Sequence, residues 1–146
     1  MSEHPDPILQ MLRSYKEAVL AKDVDAFVRL YDDDVQVFDM WGSWSIRGIE
    51  AWREMATSWF SSLGAERVIV GFAEAHTTHI GELAVGHAVL TYTAVSPEGN
   101  ELRSLNNRIT LALKHVGGSW KIFHEHTSAP IDGQSTKAIL QYAGKA

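Results

Sequence analysis

From Arg67 to Ala129 the chain alternates long β-rich stretches with tight-turn signals, and this pattern limits the fold more than any other feature. The stretches run about Arg67–His79, Glu82–Val95, Glu101–Val116 and Trp120–Ala129. Gly81, Pro97-Glu98-Gly99-Asn100 and Gly117-Gly118 separate them. Connections this short join antiparallel neighbours, so a meander of four strands is expected. Apolar residues fall on both faces of several strands, as with Val68 and Val70 against Ile69. Such a sheet needs a cover on each side.

The first half supplies one cover. Asp6-Pro7 has a capping acceptor followed by proline at the first helical position, and Ile8, Leu12, Tyr15 and Val19 then recur at helical spacing. Asp23 caps a second, shorter helix whose buried face is expected to be Val24, Phe27, Leu30 and Tyr31. Asp32, Asp33 and Asp34 read as a solvated turn. Val35–Asp39 reads as a short strand with Val35, Val37 and Asp39 on one face and Phe38 on the other. After a loop rich in Trp, Gly and Ser, Gly48 leads into a third helix with an apolar face of Ile49, Trp52, Ala56, Trp59 and Phe60, ended by Gly64. Helices first and sheet later give an α+β class, with the helices on one face of the sheet. The 146 residues fit one domain, with a core over about 6–130 and a short polar tail over 131–146.

Composition excludes several functions. The formal net charge is −5 and the basic residues are scattered, so nucleic acid is not an expected partner. There is no cysteine, which removes disulfides and thiolate chemistry. Met-Ser-Glu-His-Pro-Asp-Pro has neither a basic nor an apolar run, so no export signal is expected. No stretch is apolar enough to span a bilayer. A soluble, cytoplasmic protein is expected.

Two stretches carry a family resemblance. The first is Tyr15 with Asp23-Val24-Asp25-Ala26, Leu30-Tyr31-Asp32-Asp33-Asp34 and Val37-Phe38-Asp39, which is similar to the corresponding part of ketosteroid isomerase. The second is Arg108-Ile109-Thr110 with Trp120-Lys121-Ile122-Phe123-His124-Glu125-His126-Thr127-Ser128. It resembles the closing strands of SnoaL-like proteins and of the calcium/calmodulin-dependent kinase association domain. Together they resemble the nuclear transport factor 2-like superfamily across nearly the whole chain. The resemblance implies a cone-shaped, barrel-like fold in which a curved mixed or antiparallel sheet wraps three N-terminal helices around a pocket.

It also implies a site. The aspartate at the Asp39 position is a general base in ketosteroid isomerase, and the tyrosine at the Tyr15 position donates to the enolate oxygen; that enzyme is a standard worked case of this logic. Taken alone, Asp39 fits equally a solvated strand-end carboxylate, and Tyr15 a core-edge aromatic. Trp41, Trp44 and Trp59 are expected to line the pocket, with Asn106, Arg108 and Thr110 on one strand and Phe123, Glu125 and Thr127 on the next. Thr110 appears where ketosteroid isomerase has a protonated acid, and Arg108 is expected to attract an anionic ligand or to pair with Asp39 or Glu125. His124 and His126 share a strand face at a spacing that suits a metal, with His76, His79 or His87 as further donors. The association-domain resemblance favours hydrogen-bonded or subunit-contact histidines instead, so neither metal nor cofactor is expected.

The expected function is a cofactor-independent isomerase, cyclase or dehydratase acting on a small hydrophobic or carboxylate-bearing molecule. The alternative is a non-catalytic binding or oligomerisation module. A homodimer covering the outer sheet face is also expected.

Overall fold

A computed structural model describes residues 5–142. The first helix, α1 (Pro7–Ala21), begins where the capping signal places it: Asp6 Oδ1 accepts from the Ile8 and Leu9 amides at 3.0 and 3.1 Å. The same oxygen accepts from the Thr77 hydroxyl at 2.8 Å, which ties the helix start to the sheet. The predicted stripe of Ile8, Leu12, Tyr15 and Val19 is buried. Asp23 caps α2 (Val24–Val28), as expected, and Phe27 becomes the centre of an aromatic cluster. Tyr15, Tyr31, Trp52, Trp59 and Phe60 surround it at ring distances of 5.3 to 6.3 Å. The third helix, α3 (Ile49–Ser62), buries Trp52, Ala56 and Phe60 and stops before Gly64, which holds φ +58°.

Six strands form one mixed sheet. They are β1 (Tyr31–Phe38), β2 (Ile46–Arg47), β3 (Arg67–Ile80), β4 (Leu83–Val95), β5 (Glu101–Val116) and β6 (Ser119–Ser128), in spatial order β2-β1-β6-β5-β4-β3. The meander is antiparallel as expected, whereas β1 joins β6 in parallel, with Val37 opposite Glu125 and Phe38 opposite His126. Register shifts interrupt β3, the β4–β5 pairing and the β5–β6 pairing. Bulges of this kind bend strands and increase twist, so the sheet curves around the helices without closing.

Two local expectations change. Tyr31 opens β1 rather than ending α2, and the acidic trio lies in the irregular start of that strand. Asp32 is held 3.4 Å from the Lys114 ammonium, and Asp33 and Asp34 stay exposed. The C-terminal segment also returns to the body. Leu140 O accepts from the Asn106 amide at 2.8 Å, on the part of β5 that lies beyond the end of β6.

Small residues set how closely α1 seats on the sheet. The inward face of β4 presents Ala84, Gly86 and Ala88, and a Cβ built on Gly86 would lie 2.5–2.7 Å from side-chain carbons of fully buried Ile8. Glycine is needed here for approach, not for φ. Gly86→Ala is expected to destabilise the fold by about 1–3 kcal/mol, the usual cost of overpacking. Urea unfolding measures it, and an unchanged midpoint would mean that α1 does not seat there.

Candidate active site

The inner face of the sheet, α1 and α3 line a cavity of about 800 Å³. Its walls are mostly apolar, with Trp52, Met55, Trp59 and Leu63 on the α3 side and Val68 and Ala94 on the strands. The polar groups are few and gathered. β1 carries Val35 and Val37 inward by alternation and delivers Asp39 to the cavity just past its end. From β6, Glu125 and Thr127 point to the same space, and from α1 so does Tyr15. These four expected residues are brought together, with Trp59 on the wall and Trp41 at the rim, 54% exposed.

Five expected residues are not in the cavity. Trp44 is 97% exposed, because the loop carrying it turns the indole to solvent. Arg108 and Thr110 are exposed on the outer face of β5, where the Arg108 Nε donates to Ser128 Oγ at 3.1 Å. Asn106 also faces away, donating to Thr91 Oγ1 and Leu90 O and accepting from the Tyr142 amide. The inward residues of β5 are Asn107, Ile109, Leu111 and Leu113. A one-residue slip in phase exchanges the faces of a whole strand. The apolar alternation Ile109-Leu111-Leu113 against Arg108 and Thr110 was the signal for the true phase.

Phe123 fails for a different reason. Ala112 pairs with His124 while Leu113 pairs with Ile122, so Phe123 is the extra residue of a bulge. Its ring turns toward the Lys114 ammonium, 5.9 Å from the centroid. Ile122, next to it, is fully buried, and the phase beyond the bulge still sends Glu125 inward.

Glu125 has no cationic partner at the site. Its Oε1 accepts from the Tyr31 hydroxyl at 2.6 Å, the carboxyl takes no other hydrogen bond among the described residues, and the residue lines the cavity. Burial is the largest influence and raises its pKa from an ordinary 4.5 to about 7; the Tyr31 bond pulls the other way, and Asp39 adds repulsion. Asp39 is half-buried, and burial raises its pKa too. The Trp41 backbone N–H and the Thr127 hydroxyl, 3.3 Å from Oδ1, hold that rise back.

Tyr92 and Asn107 also line the cavity and are absent from the expected set. The Tyr92 hydroxyl lies 2.9 Å from that of Tyr15, and desolvation raises both phenol pKa values. Asn107 sits beside Tyr92 and lowers that phenol's pKa, while its own Oδ1 is buried without a protein partner among the described residues. For Tyr92 the sequence signal was its phase with Ala84, Gly86, Ala88 and Leu90 on β4.

The histidines lie elsewhere. His124 Nδ1 is 2.8 Å from Gln36 O, and the Phe38 ring packs edge-on against His124 and His126. Among the described residues no three His, Asp or Glu side chains gather as a metal set. Nor is any described helix long and apolar enough to cross a membrane.

Residues 8–132 match the SnoaL-like domain. The chain belongs to this family. Its fold is nuclear transport factor 2-like. One similar structure is a nuclear transport factor 2-like protein of unknown function from Pseudomonas putida, with TM-score 0.81, 23% identity and 94% of each chain covered. Another is a nuclear transport factor 2-like protein from Streptomyces avermitilis, provisionally named a dehydratase, with TM-score 0.74 and 13% identity over 86% of this chain and 95% of that one. A third is a provisionally named calcium/calmodulin-dependent kinase association domain from Xanthomonas campestris, with TM-score 0.67 and 14% identity over 89% and 98%. No curated protein matches the sequence.

The buried Glu125 has a consequence for this SnoaL-like domain that needs no substrate. Because its pKa is higher folded than unfolded, the folded state holds more protons between pH 4.5 and about 7, and stability falls as pH rises through that window. Glu125→Gln keeps an acceptor for Tyr31 and has no charge to bury. The variant is expected to gain on the wild type by up to about 3 kcal/mol across the window, read from urea unfolding at each pH. A constant difference would show that Glu125 stays ionised.

Proposed function

We propose that this SnoaL-like domain is an acid–base catalyst for a small, largely apolar carbonyl compound, and that Asp39 is the base that removes the proton next to the carbonyl. The observation that carries the reading is the shared cavity: an Asp39 carboxylate with raised basicity and a Tyr15–Tyr92 hydroxyl pair border one mostly apolar space.

The chemistry follows from what each group offers. Proton removal from carbon needs a base held at the right place, and desolvation makes Asp39 a stronger base than a carboxylate in water. The electron pair left behind moves to the carbonyl oxygen. One of the two phenol protons is used within the Tyr15–Tyr92 pair, so the other is free to meet that oxygen. This arrangement serves isomerases, cyclases and dehydratases alike, because each begins with an enolate.

The ligand reading narrows to neutral molecules. Arg108 is on the far side of the sheet, and the cation at the cavity wall, Arg103, is 61% exposed and bound to Glu66 at 2.7 Å. Two carboxyl groups face the cavity. A carboxylate-bearing ligand therefore finds repulsion where it needs a partner, and anion capture by Arg108 has no support in this geometry. Outside, Phe38, Ile69 and Val85 remain 38, 42 and 48% exposed, which supports the homodimer as a companion proposal. Sedimentation at micromolar concentration is expected to show two copies, and a monomer would end it.

The direct test of the base is exchange of the α-protons of β-tetralone into deuterated water, followed by NMR. Asp39→Asn is expected to slow enzymatic exchange about a hundredfold or more, the scale of general base catalysis. In the wild type the rate is expected to rise with pH through a midpoint above an ordinary aspartate's 3.8, since only ionised Asp39 acts. Exchange that survives the substitution removes Asp39 from the mechanism.

A further inference from the structure

An enolate forms with one base, yet the cavity holds two carboxyl groups. They are set apart by construction: Asp39 lies two residues beyond Val37 on one strand, and Val37 is opposite Glu125 on the next. Asp39 bonds to Thr127 near the mouth, where Trp41, Gly42 and Ser43 form the rim. Glu125 is 2% exposed and lines the cavity, with its Oε1 fixed by Tyr31 and no second hydrogen bond to its carboxyl among the described residues. A lone carboxyl oxygen in an apolar wall is the place for a proton, and no cation at the site draws that proton away.

We propose that Glu125 is the proton donor to a leaving hydroxyl, so that the substrate class of this pocket is the neutral β-hydroxy carbonyl compound and the reaction is its dehydration. This rests on Asp39 being the base. Asp39 takes the α-proton, and the C–H electron pair becomes the enolate held by the Tyr15 hydroxyl. The enolate then re-forms the carbonyl and a carbon–carbon double bond while the bond from the β-carbon to oxygen breaks. The departing hydroxyl takes the Glu125 proton and leaves as water. Asp39 ends protonated and Glu125 ionised, and return of one proton from Asp39 to Glu125 through solvent restores both. The sum is hydroxy ketone to enone plus water, with no other reactant. The raised pKa of Glu125, about 7, keeps that proton in place near neutral pH. Tyr31, hydrogen-bonded to Glu125 and outside the cavity lining, is a positioning residue.

The test compares two leaving groups on one skeleton. The enolate of the benzaldehyde–acetone aldol loses hydroxide slowly unless an acid protonates it, whereas the acetate ester loses a good leaving group without that help. Both give benzylideneacetone, followed by its ultraviolet absorbance. Glu125→Gln is expected to lower the hydroxy-to-acetoxy rate ratio about a hundredfold, the scale of general acid catalysis. Turnover of the ester also reports that the variant is folded. In the wild type, dehydration of the aldol is expected to decline as pH rises through about 7. Tyr31→Phe is expected to move that decline to higher pH, because the Tyr31 bond favours the ionised carboxylate. A ratio unchanged in Glu125→Gln, whether both substrates slow equally or neither does, overturns the proton-donor role. Wild-type protein that exchanges the α-protons of β-tetralone but dehydrates no aldol overturns this inference alone. If it does neither, the base reading falls as well.

Discussion

The parallel pairing of β1 with β6 is the contact on which both the architecture and the site depend. It joins the first strand of the chain to the last, with Val37 beside Glu125, and the whole meander lies between them in sequence. Parallel neighbours need a long crossover, and here the crossover is α3 followed by β3, β4 and β5. That detour includes α3, whose Trp52, Met55 and Trp59 form a wall of the cavity. It also brings Asp39 and Glu125 to one cavity although they are 86 positions apart in the chain. The β5–β6 register then decides what faces inward, since the bulge at Phe123 resets the phase so that both Ile122 and Glu125 can be buried.

Burial gives these carboxyl groups their distinct characters. In water the two would titrate within a fraction of a unit of each other. Inside, Asp39 keeps a backbone amide and a hydroxyl as donors, whereas Glu125 keeps only Tyr31 and lies deeper. Environments that separate the proton affinities of neighbouring acids assign them to different halves of acid–base chemistry. The apolar wall contributes by excluding water and by leaving few alternative partners for a ligand's oxygen. The aromatic cluster around Phe27 is the mechanical support, since it fixes Tyr15, Tyr31 and Trp52 from three different elements.

Much of this was legible in the sequence, and the exceptions have physical reasons. The family resemblance pointed to Tyr15 and Asp39, and the amphipathic helix and the alternating strand that carry them do bring both to the cavity. Glu125 and Thr127 came right although Phe123 on the same strand did not, because an unseen bulge changed the phase between them. On β5 the family resemblance placed Arg108 and Thr110 inward, against the strand's own alternation of Ile109, Leu111 and Leu113, and the alternation prevailed. Burying those aliphatic side chains is favourable, and burying an unpaired guanidinium is not. The returning C-terminal segment had no signal, since Leu140 and Gln141 reach the cavity through backbone and amide bonds that leave no hydropathy pattern.

By itself the sequence determined the elements, their turns and caps, and the apolar face of each helix, because those depend on residues near one another along the chain. Tertiary structure alone decided which strands became neighbours, where β6 bulges, that Tyr92 meets Tyr15, and that Glu125 has a phenol rather than a guanidinium beside it. Proton affinities and hydrogen-bond partners depend on distances of a few ångströms between residues far apart in sequence, and only the assembled sheet sets those distances.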